Sequence, residues 1–306
     1  MTVLTSQVEA KIIVIIPTYN DNARLVQCLK AIDQQTLDKS LFKVIVVDNG
    51  SSQPPELPAG LAINVNLWFE SKPGSYAARN KALNGSKAEF YAFTDSDCKP
   101  DPDWLQAAYE VLSQSSCDAV SGPIELFCHD DNNPKAIELI DLLKGFPQQK
   151  TIHQQHYSPT ANLIVKAKCF DEVGLFNDNL KSGGDKEWCL RLHQQGGVLI
   201  YDQRVKIRHP ARDTFQQYLT KQRRIAHGAW ARRDSDPLMK KYTGVHGIVT
   251  GIMPPVRKGY DFLTRFPQAK ISTRLKAIIC FYAVNLYSVK ERLKCRFGLV
   301  QSVERN

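Results

Sequence analysis

Asp95-Ser96-Asp97 closes the apolar run Phe90-Tyr91-Ala92-Phe93-Thr94. Residues i and i+2 of a strand point to the same side, so two carboxylates at the mouth of a buried strand are predicted to share one task. Hard divalent cations such as Mg²⁺ and Mn²⁺ take oxygen ligands, often one or two carboxylates with water and phosphate completing the set. Asp95 and Asp97 are therefore candidates to hold a metal, and through it a diphosphate. A D-x-D triplet also occurs in ordinary acidic turns, so its weight here comes from its neighbours.

Pro17-Thr18-Tyr19-Asn20 follows the run Ile12–Ile16, and Asp48-Asn49-Gly50-Ser51 follows the run Phe42–Val47. Either makes a plain turn. Their common place at strand ends, with Asp95 and Asp97, argues for one crevice, where Asp48 can hydrogen-bond a base N–H or a ribose hydroxyl. Lys72-Pro73-Gly74 opens a helix at Ser75. Helix N-termini favour anions, and Arg79, one turn in, is placed to reach a phosphate or a nucleobase; the plain alternative is a surface salt bridge. Ser182-Gly183-Gly184-Asp185 leads into another helix. On a helix, Asp185 and Glu187 point about 200° apart, so only one faces a cleft, and Asp185 beside the glycines is the candidate. The alternative for Asp185 is a helix cap.

The elements that must position these residues alternate. Strands are predicted at Ile12–Ile16 (stopped by Pro17), Phe42–Val47, Ile63–Phe69 and Phe90–Thr94. Helices are predicted from Asn20 or Asp21 to about Gln34, from Ser75 to Leu83, and from about Pro102 to Leu112. This alternation, with continuous apolar strands, predicts an α/β fold with a mainly parallel sheet covered on both faces. Ligands of such sheets bind beyond the carboxyl ends of the strands. Further along, the pattern predicts a helix over 134–144, a strand over 162–165, a helix from the Gly-Gly-Asp segment to about Gln194, short strands at 198–201 and 205–207 before His209-Pro210, and a basic helix over 215–233. The expected division is a nucleotide-binding half (1–115), an acceptor-binding and catalytic half of the same domain (116–235), and a basic, partly amphipathic helical extension (236–306).

The 306 residues are 43% hydrophobic and 23% charged, an ordinary globular composition. No cleavable leader pattern opens the chain, and the eight cysteines form no C-x-x-C pair, so a cytoplasmic protein with reduced, packing cysteines is expected. The net charge of +9 is unevenly spread. Residues 1–203 hold 18 basic and 25 acidic residues (−7), and residues 204–306 hold 22 and 6 (+16). A basic C-terminal third implies an anionic partner. The apolar run 275–284 is too short to span a bilayer, which takes about 20 residues. Flanked by Lys270, Arg274, Lys276, Lys290, Arg292, Lys294 and Arg296, the segment 265–300 reads either as a helix lying on an anionic membrane surface or as a terminal helix packed on the domain.

Taken in order, Pro17-Thr18-Tyr19-Asn20, Asp48-Asn49-Gly50-Ser51, Gly74…Ala78-Arg79-Asn80, Asp95-Ser96-Asp97 and Ser182-Gly183-Gly184-Asp185 resemble a bacterial-type family 2 inverting glycosyltransferase of the GT-A fold, over roughly residues 10–230. The resemblance implies a nucleotide-sugar donor, most often with UDP, and a divalent metal, Mn²⁺ or Mg²⁺. Pro17, Thr18, Tyr19, Asn20 and Asp48 would cradle base and ribose. Gly74, Arg79 and Ser96 would lie near the nucleotide. Asp95 would touch ribose or a metal-bound water, Asp97 would ligate the metal, and Asp185 matches the catalytic base. His209 resembles the histidine that completes the metal site in some members; a plain structural histidine is the other reading. Gln222-Arg223-Arg224 lacks the tryptophan that follows directly in processive synthases, which argues against a processive polysaccharide synthase; a glycan or lipid-linked acceptor and a peripheral position at the inner face of the cell membrane are expected from the basic, partly apolar C-terminus. A sugar-nucleotide nucleotidyltransferase would need a glycine-rich loop after the first strand, which Pro17–Asp21 does not supply. No nucleic-acid-binding signature or stacking platform accompanies the basic residues, so no nucleic acid is expected as a partner. A relative that binds sugar nucleotide without turnover is the remaining alternative.

Overall fold

The structure is a computed structural model and describes residues 10–180 and 182–299. Its elements are β1 (Ile12–Thr18), α1 (Asn22–Asp33), β2 (Phe42–Asp48), β3 (Val65–Phe69), α2 (Ser75–Gly85), β4 (Phe90–Phe93), β5 (Lys99–Pro100), α3 (Trp104–Gln114), β6 (Ala119–Ser121), β7 (Ile124–Phe127), α4 (Ala136–Lys144), α5 (Gln148–Gln155), β8 (Leu163–Lys166), α6 (Lys168–Val173), α7 (Gly184–Gln194), β9 (Leu199–Tyr201), β10 (Ile207–Pro210), α8 (Phe215–Ala231), α9 (Pro237–Thr243), α10 (Val245–Ile252), α11 (Val256–Arg265) and α12 (Ile271–Arg296). They divide into two compact units. The first holds Met1–Glu125, Phe146–Asp178 and Gly184–His209; the second holds Leu126–Gly145, Asn179–Gly183 and Pro210–Asn306.

The first unit is built on a seven-stranded sheet of order β3-β2-β1-β4-β8-β6-β9. Pairings β3–β2, β2–β1, β1–β4 and β6–β9 are parallel; β8 runs antiparallel to both its neighbours. All seven residues of β1 are buried, as a strand covered on both faces requires. Its side chains alternate. Ile12, Val14 and Ile16 join Leu25, Cys28, Leu29 and Ile32 of α1, while Ile13 and Ile15 face the opposite core, with Phe93, Phe170, Phe176 and Trp188. The sequence reading of α1's inner face is thereby met.

Pro17 does not stop β1, contrary to expectation. The strand runs on to Thr18, with Pro17 in register with Val47 and Thr18 with Asp48. The reason is which way the missing N–H points. The Ile15 carbonyl accepts from Thr94 on the β4 side, and the Thr18 carbonyl accepts from Asn49 on the β2 side. Pro17 shares the parity of Ile15, so its missing donor faces the side where β4 has already ended at Phe93, and no ladder bond is lost.

A three-stranded sheet of order β5-β10-β7 was not foreseen. Its strand β10 includes His209, which the sequence reading set after a strand. In β10, Ile207 lies opposite Pro100 and Arg208 opposite Lys99.

The second unit is helical. Ile137, Leu139 and Ile140 of α4 pack with Tyr218 of α8, Phe262 of α11, and Ala277, Phe281 and Val284 of α12. The predicted terminal apolar run is the first half of α12, a 26-residue helix that packs against α4, α8, α10 and α11. Among the described residues, no helix is long and apolar enough to cross a membrane.

Gly122, between β6 and β7, makes a close approach that admits no side chain. A Cβ there would lie 2.3 Å from the Asp202 carbonyl oxygen and 2.2 Å from that of Val205. Backbone cannot yield as a side-chain tip can, so Gly122→Ala is expected to lower unfolding stability by about 3 kcal/mol. Urea denaturation followed by circular dichroism measures this; a change below about 0.5 kcal/mol, the range of a neutral surface substitution, would contradict the packing.

Candidate active site

Every residue of the candidate site that carries a titratable group lies in the first unit, at or just beyond the carboxyl ends of β1, β2 and β4, on the helices α2 and α7, or, for His209, in β10. Thr18 and Asp48 end β1 and β2 side by side. Asp48 is buried, and its Oδ1 accepts the Ser51 N–H at 3.1 Å. Asn20 has a left-handed backbone (φ 49°) and ties two loops together. Its N–H donates to Ser51 Oγ at 2.8 Å, and its Oδ1 accepts from the Ser52 N–H at 2.8 Å. Tyr19 is half-buried between them.

Asn49 was not singled out by sequence, yet it staples the glycine loop. Its Nδ2 donates to the carbonyls of Glu70 and Lys72 (3.1 and 2.7 Å), and its Oδ1 accepts the Gly74 N–H at 2.7 Å. Gly74, with φ of 126°, turns the chain into α2 where a side chain would be strained.

Asp95 and Asp97 do not gain their common orientation from strand alternation. β4 ends at Phe93, and the triplet forms a turn in which the Cys98 N–H donates to the Asp95 carbonyl at 3.1 Å. Arg79 is only 1% exposed, and its Nη2 lies 2.5 Å from Asp95 Oδ1. The surface salt bridge offered as its alternative is thus a half-buried one, with the guanidinium inside and the carboxylate reaching solvent. Asp95 keeps 38% of its side chain exposed, and its second oxygen has no hydrogen bond among the described residues. Asp97 Oδ1 is 3.6 Å from His209 Nε2, and its Oδ2 is 3.7 Å from Arg24 Nη1. Arg24 also pairs with Asp21 at 2.7 Å, and Ser96 Oγ donates to Asp21 at 3.4 Å. Asp21 therefore serves this network and makes no side-chain cap for α1.

Ligand atoms of Asp95, Asp97, Cys98 and His209 all lie within 4.8 Å of one another. Donors about 2.0–2.2 Å from a shared ion are spaced on this scale. Cys98 had been read as a packing residue. Burial and the negative charges of Asp95 and Asp97 hold its thiol well above its ordinary pKa, and its soft sulfur is a poor match for a hard cation beside two carboxylates.

Asp185 opens α7, and Tyr76 of α2 holds that opening. The Tyr76 hydroxyl accepts the N–H groups of Gly184 (3.0 Å) and Asp185 (3.2 Å) and donates to Asp185 Oδ1 at 3.3 Å. Helix N-terminal N–H groups otherwise lack partners. A Cβ on Gly184 would lie 2.8 Å from the Tyr76 ring, so this contact needs glycine. Asp185 retains some solvent contact, but the protein packed around its carboxyl raises the pKa by burial; the Lys186 N–H, Arg79 and Tyr76 oppose that rise. Arg79 and Asp95 both act electrostatically on Asp185, so α2 links the two acidic halves. Glu187 points away and pairs with Arg191 at 2.6 Å, as the helical spacing requires.

Tyr76→Phe removes one donor and one acceptor and orphans two buried N–H groups. It is expected to lower stability by about 2 kcal/mol. It should also raise the Asp185 pKa, because a hydrogen bond to the charged form is lost. Denaturation curves and carboxyl ¹³C titration check both; an unmoved Asp185 midpoint would show that Tyr76 does not act on the carboxylate.

The chain compares with known proteins as follows. The family model described as Glycosyl transferase family 2 matches residues 13–174. Glycosyltransferase AglE of Haloferax volcanii is 35% identical over 249 residues, 79% of this chain and 81% of AglE. The mannosyltransferase PcManGT from Pyrobaculum calidifontis, solved in complex with GDP-Man and Mn²⁺, aligns with a TM-score of 0.60 at 15% identity, covering 95% of this chain and 88% of that one. S. aureus TarS 1–349 in complex with UDP-GlcNAc aligns with a TM-score of 0.53 at 17% identity, covering 94% and 92%. At those identities the two structures speak for the fold.

Proposed function

The chain belongs to glycosyl transferase family 2, and from that premise we propose that it transfers a sugar, with inversion, from a nucleotide-diphosphate donor to a hydroxyl of a glycan or lipid-linked acceptor. It is a glycosyltransferase of the GT-A fold with a nucleotide-sugar donor. The observation that carries the finer reading is the division of the site by α2: Arg79 answers Asp95 on the diphosphate side, and Tyr76 holds Asp185 apart from it.

Asp185 is the general base. Burial favours its neutral form and thereby a carboxylate ready to take up a proton, while Arg79 and Tyr76 keep it from being neutral outright. It takes the proton from the acceptor hydroxyl, which attacks the anomeric carbon opposite the nucleotide. Pro17, Thr18, Tyr19, Asn20 and Asp48 line the base and ribose pocket. The Thr18 hydroxyl is buried without a partner there. Gly74, Ser96 and Arg79 border the diphosphate, and Arg79 offers it fixed positive charge from a dry position. Asp97, Asp95 and His209 fit a divalent cation, Mn²⁺ or Mg²⁺. When bound, the cation supplies positive charge against the departing diphosphate.

Asp185→Asn tests the mechanism. With a panel of nucleotide sugars and Mn²⁺, transfer should fall by about 10²–10⁴-fold while the thermal shift on donor binding persists. EDTA should abolish transfer by both proteins. The folded-state pKa of Asp185 is raised above its unfolded value, so its charging opposes folding as pH rises, and at neutral pH the Asn variant should be the more stable. Transfer within about threefold of wild type, far above the loss of a general base, would remove Asp185 from the role.

The second unit is the proposed contact with an anionic membrane surface at the cytoplasmic face. Val245, Val249, Met253, Val256 and Tyr260 are exposed on and between α10 and α11, and Ile271, Leu275 and Ile279 form an exposed stripe at four-residue intervals on α12. Basic residues lie among them, the pattern of an interfacial helix with electrostatic attraction to anionic lipid. Met253→Glu with Val256→Glu should lower co-sedimentation with phosphatidylglycerol vesicles about tenfold or more. Equal binding by this variant would rule out insertion by that segment.

A further inference from the structure

The second unit contains a charge imbalance that its fold does not explain. Asp141 of α4 is 3% exposed and receives two cations: Arg212 Nη1 at 2.9 Å and Lys221 Nζ at 3.1 Å. The Arg212 backbone N–H adds a third bond to the same carboxylate at 3.1 Å. One turn beyond Asp141, Lys144 stands without a hydrogen bond or ion pair among the described residues. Its ammonium lies 5.0 Å from the Tyr218 ring centroid and 5.3 Å from that of Phe281. The Lys221 ammonium lies 5.4 Å from the same Tyr218 ring. Three cations thus gather around one buried carboxylate, and two positive charges stay unbalanced beside the Tyr218 and Phe281 rings, with Lys144 exposed and Lys221 half-buried. Lys258 adds a further positive charge that acts on Lys144, its own partner being Asp261 at 3.4 Å.

Crowding like charges without counter-charge is unfavourable, and a structural ion pair would need only one cation. Burial pushes both Lys144 and Lys221 down to about 8. Lys144 is exposed and Lys221 keeps part of its side chain in solvent, so the cluster is open to a ligand from outside.

The geometry points to an anion-binding site in the second unit, formed by Lys144, Lys221 and Arg212 around Asp141, that takes a phosphate or diphosphate group. Asp141 orients Arg212 and Lys221, and Lys144 is the arm left for the ligand. The charge selects the ligand class. A dianion balances the two excess charges, whereas a carboxylate leaves one. Arginine and lysine both donate charge-assisted hydrogen bonds to phosphate oxygens. The site shares no residue with those assigned above to donor and metal.

Full-length protein carrying ¹³Cε-lysine tests this in EDTA, which keeps metal-borne phosphate from Asp95 and Asp97. Two lysine signals should titrate near pH 8. Inorganic pyrophosphate should raise both midpoints by about 1. Lys144→Gln, or Lys221→Gln if the first fails to fold, should delete one signal and weaken pyrophosphate about tenfold, while Lys240→Gln on α9 leaves it unchanged. A parallel arm uses phosphatidic acid vesicles against phosphatidylcholine alone. A response to pyrophosphate only identifies a soluble phosphate ligand, and a response to phosphatidic acid identifies a headgroup; either supports the site. Midpoints unmoved in both arms, or Lys240→Gln as damaging as Lys144→Gln, would overturn it.

Discussion

A guanidinium that is 1% exposed must have its charge answered, and in this protein Asp95 answers it. That pair fixes where α2 sits against the end of β4, and α2 then fixes the rest. From one helix, Arg79 reaches Asp95, Tyr76 reaches the N-terminus of α7, and Asn80 exchanges two hydrogen bonds with the backbone of Phe176 (2.8 and 3.1 Å). Gly74, at its cap, hangs on Asn49. The acidic turn after β4 and the acidic helix start at Asp185 are far apart in sequence, and one turn and a half of α2 spans both.

The two units handle charge in opposite ways. In the first, carboxylates gather, and Arg79 and Arg24 offset them only in part. The residual negative charge and the raised pKa of Asp185 make a place that welcomes a cation and a proton. In the second, cations outnumber the one buried carboxylate they share. Such sites are less stable than an apolar core of the same volume would be, and they persist where function uses the imbalance.

Long, uniform signals were legible in the sequence. The β-branched runs of β1 and β2, the four buried positions of α1 and the opposed directions of Asp185 and Glu187 follow from periodicity alone. Short elements were not. β5 has two residues and β10 four, too few for any period to show, so the small sheet and the place of His209 within it escaped notice. Pro17 misled because the rule against proline in a central strand concerns a donor, and which way a donor points depends on where the neighbouring strand ends. Tyr76 and Asn49 were missed for a further reason. They act on backbone groups 21 to 109 residues away, and nothing local marks them; the sole hint is a polar-tipped aromatic at the start of a helix beside glycines.

The reversed strand β8 has a bearing on how the chain is made. β6 pairs with β8 and β9, both of which follow it in sequence, while β8 bridges β6 to β4. As the chain leaves the ribosome, β1 to β4 can pair as they emerge, but β6 has no sheet neighbour until about 40 more residues are made, in keeping with the lag that non-local pairings impose. The nascent protein therefore sets Arg79 against Asp95 well before Asp185 and His209 exist. It passes through a stage with an unpaired edge at β4, which is then the part of the molecule most in need of protection from other chains.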